Sequence, residues 1–254
     1  MLRVAVVGGA GRMGQTMAEG LGQRDDMTVV ALVDVNEPRE LFGATYVTSV
    51  GDLPVDLDAV VDFSLPASVV ASAEWCAANG VALIVGATGL TPEQRSFVEA
   101  AGERVGVVMA ANYSIGAVLS ERFAAMAAPY FERVEIIELH HDRKVDAPSG
   151  TSLVSAERIR SARSAAGRVT APEPTERLTI DGARGADAGD GVRIHSVRLP
   201  GLLAHQEVLF GSAGEGLTIR HDSYDRQSFV NGVALAISHA VSAPGFTSGI
   251  DELL

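Results

Sequence analysis

Residues 4–17 read VAVVGGAGRMGQTM. A short β-branched run, residues 4–7, ends in glycines, and a helix-forming stretch begins directly after them. Gly9, Gly11 and Gly14 stand at GxGxxG spacing between strand and helix, the context in which that spacing has a physical meaning. One glycine permits a tight turn, one lets the backbone approach a pyrophosphate, and one lets the helix sit against the strand. Exposed N–H groups at the helix start then attract phosphate oxygens, and Arg12 adds a cation beside them. The stretch predicts a strand–turn–helix that holds a dinucleotide.

The next apolar run, within TVVALVDVN at residues 28–36, closes on Asp34. A carboxylate at that point accepts hydrogen bonds from the adenine ribose and repels a 2′-phosphate. NADH is therefore expected over NADPH, with some NADPH use through Arg12 and Arg39. Further short apolar runs at residues 59–63, 81–85 and 105–109 read as buried strands. Helix-like segments lie between several of the runs: residues 11–21, 66–79 and 91–102. The last opens TPEQ, with threonine as N-cap and proline at the first helical position. This alternation predicts a Rossmann-type parallel sheet covered by helices. Gly86, Ala87 and Thr88 follow the fourth run, and Ala110, Ala111, Asn112 and Tyr113 follow the fifth. Both sets are expected at the rim where such sheets bind ligands.

The pattern changes after Asn112. Residues 115–128 and 152–164 read as helices; residues 134–140, 192–199, 206–210 and 217–221 read as strands. Residues 170–190, which carry GARGADAGDG, read as a loop, and 227–241 as a long helix that packs back on the first domain. The expected fold class is α/β: a dinucleotide-binding domain of residues 1–111 completed by 222–254, and an α+β domain of residues 112–221 with a mixed or antiparallel sheet.

Composition narrows the function. A net charge of −12 disfavours nucleic acid as a partner, though not small anions held at local sites. No apolar stretch approaches the roughly 20 residues that span a bilayer, and the N-terminus lacks a signal peptide's plan. The single cysteine, Cys76, forms no internal disulfide, and no metal-ligand spacing is present. A cytoplasmic protein without a metal is expected.

The chemistry concentrates in IIELHHDRKVDAPSGTSL, residues 136–153. His140 and His141 end a strand, where neighbouring side chains point to opposite faces, so a shared metal is not expected. Lys144 follows in a loop. Pro148, Ser149, Gly150 and Thr151 then open a helix whose N–H groups suit a carboxylate. Hydride delivery to a conjugated C=N or C=C leaves an anion that a positioned acid must protonate, a role open to Lys144 and to His140.

These segments resemble the 4-hydroxy-tetrahydrodipicolinate reductases, the dihydrodipicolinate reductase family of lysine and diaminopimelate biosynthesis. The resemblance rests on GxxGRMG at residues 8–14, GATG at 86–89, AANYSIG at 110–116 and HHDRKVDAPSGT at 140–151. RLPGLLAHQEVLF, residues 198–210, is similar to a further family segment, with Ala204 where glutamate is common, as in actinobacterial members. The resemblance implies NAD(P)H as cofactor, a small cyclic dicarboxylate as substrate and a homotetramer joined through the second domain. It implies His140 as proton donor/acceptor, Lys144 as proton donor, His141 as a substrate contact, and Gly150 and Thr151 as the carboxylate grip. Gly8, Gly9, Ala10, Gly11, Arg12, Met13, Asp34, Gly86, Ala87, Thr88, Ala110, Ala111, Asn112 and Tyr113 would line the cofactor. Two alternatives are another dehydrogenase, of homoserine or aspartate-semialdehyde type, and a non-catalytic NAD(H)-binding regulator. The first would need Cys76 as a nucleophile if it were of the semialdehyde type.

Overall fold

A computed structural model describes residues 1–169 and 172–254. In chain order the elements begin β1 (Leu2–Val7), α1 (Arg12–Gly22), β2 (Met27–Val33), β3 (Thr45–Val47) and β4 (Ala59–Asp62). They continue with α2 (Pro66–Asn79), β5 (Ala82–Val85), α3 (Pro92–Ala101), β6 (Gly106–Met109), α4 (Ile115–Ala127) and β7 (Arg133–His140). The chain closes with α5 (Gly150–Ala165), β8 (Ala186–Asp187), β9 (Val192–Arg198), β10 (Ala204–Ser212), β11 (Glu215–Ser223), α6 (Val230–Ala240) and β12 (Gly245–Ser248). Two compact units result: Met1–Ile115 with Arg226–Leu254, and Gly116–Asp225.

The first unit holds a seven-stranded sheet in the order β12-β6-β5-β4-β1-β2-β3, parallel at every pairing. Its central strands are apolar on both faces, as a sheet covered twice requires. Ala5, Val7, Val60, Leu83 and Val107 meet Val69, Ala73, Cys76 and Val98 of α2 and α3. The alternate residues face the other way, where α1 packs on β1 and β2 and α6 on β5 and β6. The cap of α3 is reciprocal: Thr91 Oγ1 accepts from Gln94 N at 3.2 Å, and Gln94 Oε1 accepts from Thr91 N at 2.9 Å. That arrangement satisfies two donors at the helix start.

The strands β3 and β12 escape the sequence pattern. Each is short, of three and four residues, and each lies at a sheet edge, where the pairing comes from the neighbour's unfilled edge and not from a local apolar run. The long C-terminal helix is split: a 3-10 turn, Arg226–Phe229, precedes α6.

The second unit carries a five-stranded sheet, β11-β10-β7-β9-β8. It is mixed: β7 and β9 run parallel and the other pairings are antiparallel. Ile136, Ile194, Val208 and Phe210 on one face pack with Ala124 of α4 and with Ala156 and Ile159 of α5. Within the expected 170–190 loop, residues 172–190 are turn-rich but contain β8; residues 170 and 171 lie outside the described residues. Among the described residues no helix is long and apolar enough to cross a membrane, and no group of ligating side chains suits a metal.

Candidate active site

In the first unit the carboxyl ends of β1, β2 and β4 border a cavity of about 870 Å³ whose walls include Gly8, Ala10, Gly11, Asp34, Arg39 and Phe63. The sheet order reverses beside it, which is where open parallel sheets hold ligands. The tight turn falls on Gly8, at φ +83°, one residue ahead of the GxGxxG spacing. A Cβ on Gly14 would lie 2.0 Å from the Gly8 carbonyl oxygen, so α1 meets the turn at a separation that only glycine permits. No side chain caps the start of α1; its first-turn dipole and N–H groups suit a phosphate.

The Asp34 carboxylate accepts from Ala10 N and from Asn36 N, each at 3.0 Å, and forms part of the cavity wall. A glycine cradle, an uncapped helix start and a carboxylate at the end of β2 together fit a dinucleotide. Asp62, fully buried, shapes the same wall. It accepts from Ser64 N at 2.8 Å and from Ser72 Oγ at 2.6 Å, fixing the Phe63–Ser64 bend that lines the cavity. Burial pushes the Asp62 carboxyl up, against the pull of those serines.

In the second unit a polar cluster gathers at the end of β7. Glu138 continues the buried face of Val134 and Ile136 and is itself fully buried. Arg198 donates to it through both terminal nitrogens, at 2.8 and 2.9 Å, and the Nδ1 of His140 makes a short contact with the same carboxylate. Burial pushes Glu138 up, but Arg198, Ser196 and His140 outweigh it and hold the carboxyl below its ordinary value. For His140 burial is the largest influence and lowers its value, with Lys144 and Arg198 adding to the fall and Glu138 opposing it. The balance disfavours the protonated ring.

Lys144 lies in the following turn, its N–H donating to His141 O at 3.2 Å. Its ammonium pairs with Asp146 at 2.8 and 2.9 Å. Arg198 Nη2 also donates to Asp146 O at 2.8 Å, so the Lys144 loop is tied to the Glu138 cluster. At α5, Ser149 Oγ accepts from Ser152 N at 3.2 Å. The Gly150 and Thr151 N–H groups precede that bond, and the space beside Gly150 is open. The Nδ1 of His141 is buried without a hydrogen-bond partner. The cluster thus offers an ammonium, an imidazole and a helix N-terminus, groups that suit an anionic ligand.

The N-terminal part of the dihydrodipicolinate reductase family matches residues 2–113, and its C-terminal part residues 116–254. The chain belongs to the dihydrodipicolinate reductase family. Among its relatives, the 4-hydroxy-tetrahydrodipicolinate reductase of Nocardia farcinica is 46% identical over 256 residues, covering 100% of this chain and 98% of the relative. That of Corynebacterium aurimucosum is 42% identical, with the same coverage. The dipicolinate-bound dihydrodipicolinate reductase of Paenisporosarcina sp. TG-14 has the same fold, at a TM-score of 0.88, 39% identity and 100% coverage of both chains.

The residues that the family resemblance points to are not all alike in this structure. Gly8, Ala10, Gly11 and Asp34 line the large cavity. Gly9 packs on Leu32 beneath it, while Arg12 and Met13 start α1. Gly86, Ala87 and Thr88 follow β5, and Ala110, Ala111 and Asn112 follow β6, at the carboxyl ends of their strands; none forms the wall of that cavity. Gly86 instead faces the Phe63 ring, which a Cβ would meet at 2.1 Å. The Tyr113 side chain is fully buried, with the hydroxyl 2.8 Å from Val85 O, so its ring packs beneath the rim and only its backbone is left to meet a ligand there. Cys76 is buried in α2, and burial pushes its thiol up, which removes the nucleophile that a semialdehyde dehydrogenase needs. Sequence reasoning passed over Asp62, Phe63, Glu138 and Arg198. A carboxylate following Val134 and Ile136 on one face of β7, two residues before a histidine on that face, was the available signal for Glu138.

Proposed function

We propose that this chain reduces 4-hydroxy-tetrahydrodipicolinate to tetrahydrodipicolinate. Substrate, reduced dinucleotide and a proton give tetrahydrodipicolinate, oxidised dinucleotide and water. The observation that carries this reading is the loop between β7 and α5, where Lys144, His140, His141 and the start of α5 come together in a unit that matches the family over its whole length.

The dinucleotide, when bound, supplies the hydride. Lys144 supplies the proton, since its ammonium carries the charge while burial disfavours the protonated form of His140. His140 positions the substrate or relays the proton through Nε2. The Gly150 and Thr151 N–H groups hold one substrate carboxylate with the help of the α5 dipole, and His141 contacts the substrate. NADH is preferred because Asp34 faces the cavity and repels a 2′-phosphate; Arg39 on the same wall allows NADPH to be used. The chain assembles as a homotetramer through the sheet face opposite α4 and α5. Ile137, Leu139, Val197 and Leu209 lie on that face, each only partly buried. Light scattering tests this against four times the 26.5 kDa chain mass.

The activity is tested by following NADH absorbance with the condensation product of pyruvate and aspartate semialdehyde, and with pyridine-2,6-dicarboxylate as competitor. NADH oxidation that the dicarboxylate suppresses is the expected result. Folded protein that leaves NADH unoxidised overturns the reading.

A further inference from the structure

Glu138 sits where the core would ordinarily continue. Val134, Ile136 and Glu138 occupy successive positions on one face of β7, and all are buried. A carboxylate in such a place is a poor device for stability, because desolvation offsets most of what its ion pairs contribute and an apolar side chain does as well. Its connections point elsewhere. One oxygen accepts from Arg198 Nη2 at 2.8 Å and the other from Arg198 Nη1 at 2.9 Å. The second oxygen also meets His140 Nδ1. Arg198 stands beside His140 in the β7–β9 register, and its Nη2 reaches Asp146 O, whose side chain holds Lys144. One buried carboxylate therefore touches the imidazole directly and the lysine loop at one remove.

We propose that Glu138 is a positioning residue for the reaction: it fixes the His140 ring with Nδ1 as donor and Nε2 as the free nitrogen, and through Arg198 it sets the Lys144 loop. An imidazole whose Nδ1–H is held by a carboxylate has its tautomer and orientation decided, which leaves the other nitrogen defined for the substrate. The planar guanidinium fork transmits the restraint to the loop, because two parallel bonds to one carboxylate fix its direction. The charged groups that face His140 are Glu138, Lys144 and Arg198; of these only Glu138 favours the protonated ring.

This inference rests on the roles given above to His140 and Lys144, and its test is separable from them. Ring-nitrogen NMR of the dinucleotide-free protein, with His140 assigned through His140→Gln, reads the tautomer without turnover. Wild type is expected to show neutral His140 as the Nδ1–H form. In Glu138→Gln that preference weakens, the ring titrates at lower pH, and kcat falls by about tenfold or more with the KM for NADH unchanged; Glu138→Asp recovers part of each. An Nε2–H ring in wild type, an unchanged tautomer in Glu138→Gln, or a changed tautomer with undiminished kcat overturns the proposal. Should Glu138→Gln fail to fold, Arg198→Lys carries the test. It keeps the charge and loses the fork, and is expected to lower kcat about fivefold or more while His140 stays Nδ1–H; an unchanged kcat overturns the proposal. Full turnover in His140→Gln or Lys144→Ala counts against the functional reading instead.

Discussion

The Asp34 carboxylate accepts the Ala10 N–H at 3.0 Å, so the residue just after β2 also steadies the glycine turn after β1. That link joins two roles in one side chain: it steadies the glycine loop and it lines the cavity.

Asp34→Ala is therefore expected to shift cofactor choice. The ratio of kcat/KM for NADH to that for NADPH should fall by about tenfold, which corresponds to about 1.4 kcal/mol of discrimination. Steady-state kinetics with both dinucleotides checks this, and an unchanged ratio would remove Asp34 as the selector.

Lys144→Ala removes the proposed acid. General acid catalysis is worth about 10²–10⁴-fold, so kcat should drop by that order while NADH still binds. Fluorescence titration of NADH provides the control, because Lys144 belongs to the second unit and the glycine cradle to the first. A loss of less than about tenfold, with the fold intact, would falsify the assignment.

Gly14→Ala places a methyl 2.0 Å from the Gly8 carbonyl oxygen. Since the obstacle is backbone, α1 must move off the turn, at a cost of about 1–3 kcal/mol. A lowered thermal midpoint and weaker NADH binding are expected together. Loss of neither would show that the helix sits further from the turn.

Burial depresses the imidazole values of His140 and His221. The unfolded chain then binds those protons more tightly than the folded one. Stability is intact above the unfolded value of about 6.5 and is lost as pH falls through the lower folded values. Urea midpoints measured at about pH 7.5 and about pH 5.5 should show the decline. The Glu138 and Asp222 carboxyls, the latter held down to about 2 by Arg220 against burial and with help from His205, keep their contribution across that interval. Equal midpoints would contradict the directions given for the two rings.

Much of the fold was legible because it is written locally. The apolar runs of β1, β2 and β4, the Pro92 start of α3 and the Ser149 start of α5 each depend on residues within a few positions of one another. The edge strands β3 and β12 were not legible, since they exist through pairing with β2 and β6. Site residues divided in the same way. Lys144, His140 and Gly150 share one short segment, whereas the meaning of Glu138 depends on Arg198, sixty positions away in the chain.

By itself, then, the sequence determined a strand–glycine turn–helix ending beside Asp34 that suits a dinucleotide, and singled out residues 140–151 as the segment where the proton chemistry is expected. Periodicity and short motifs report what neighbouring residues do to one another, and these features are of that kind. Only the tertiary structure decided that the tight turn falls on Gly8, that Tyr113 is buried support, and that a carboxylate in the core face of β7 holds both His140 and Arg198. Those facts depend on which surfaces meet when β7 and β9 pair and when Phe63 and Tyr113 pack edge to face, and contacts between distant segments leave no periodic trace in the chain.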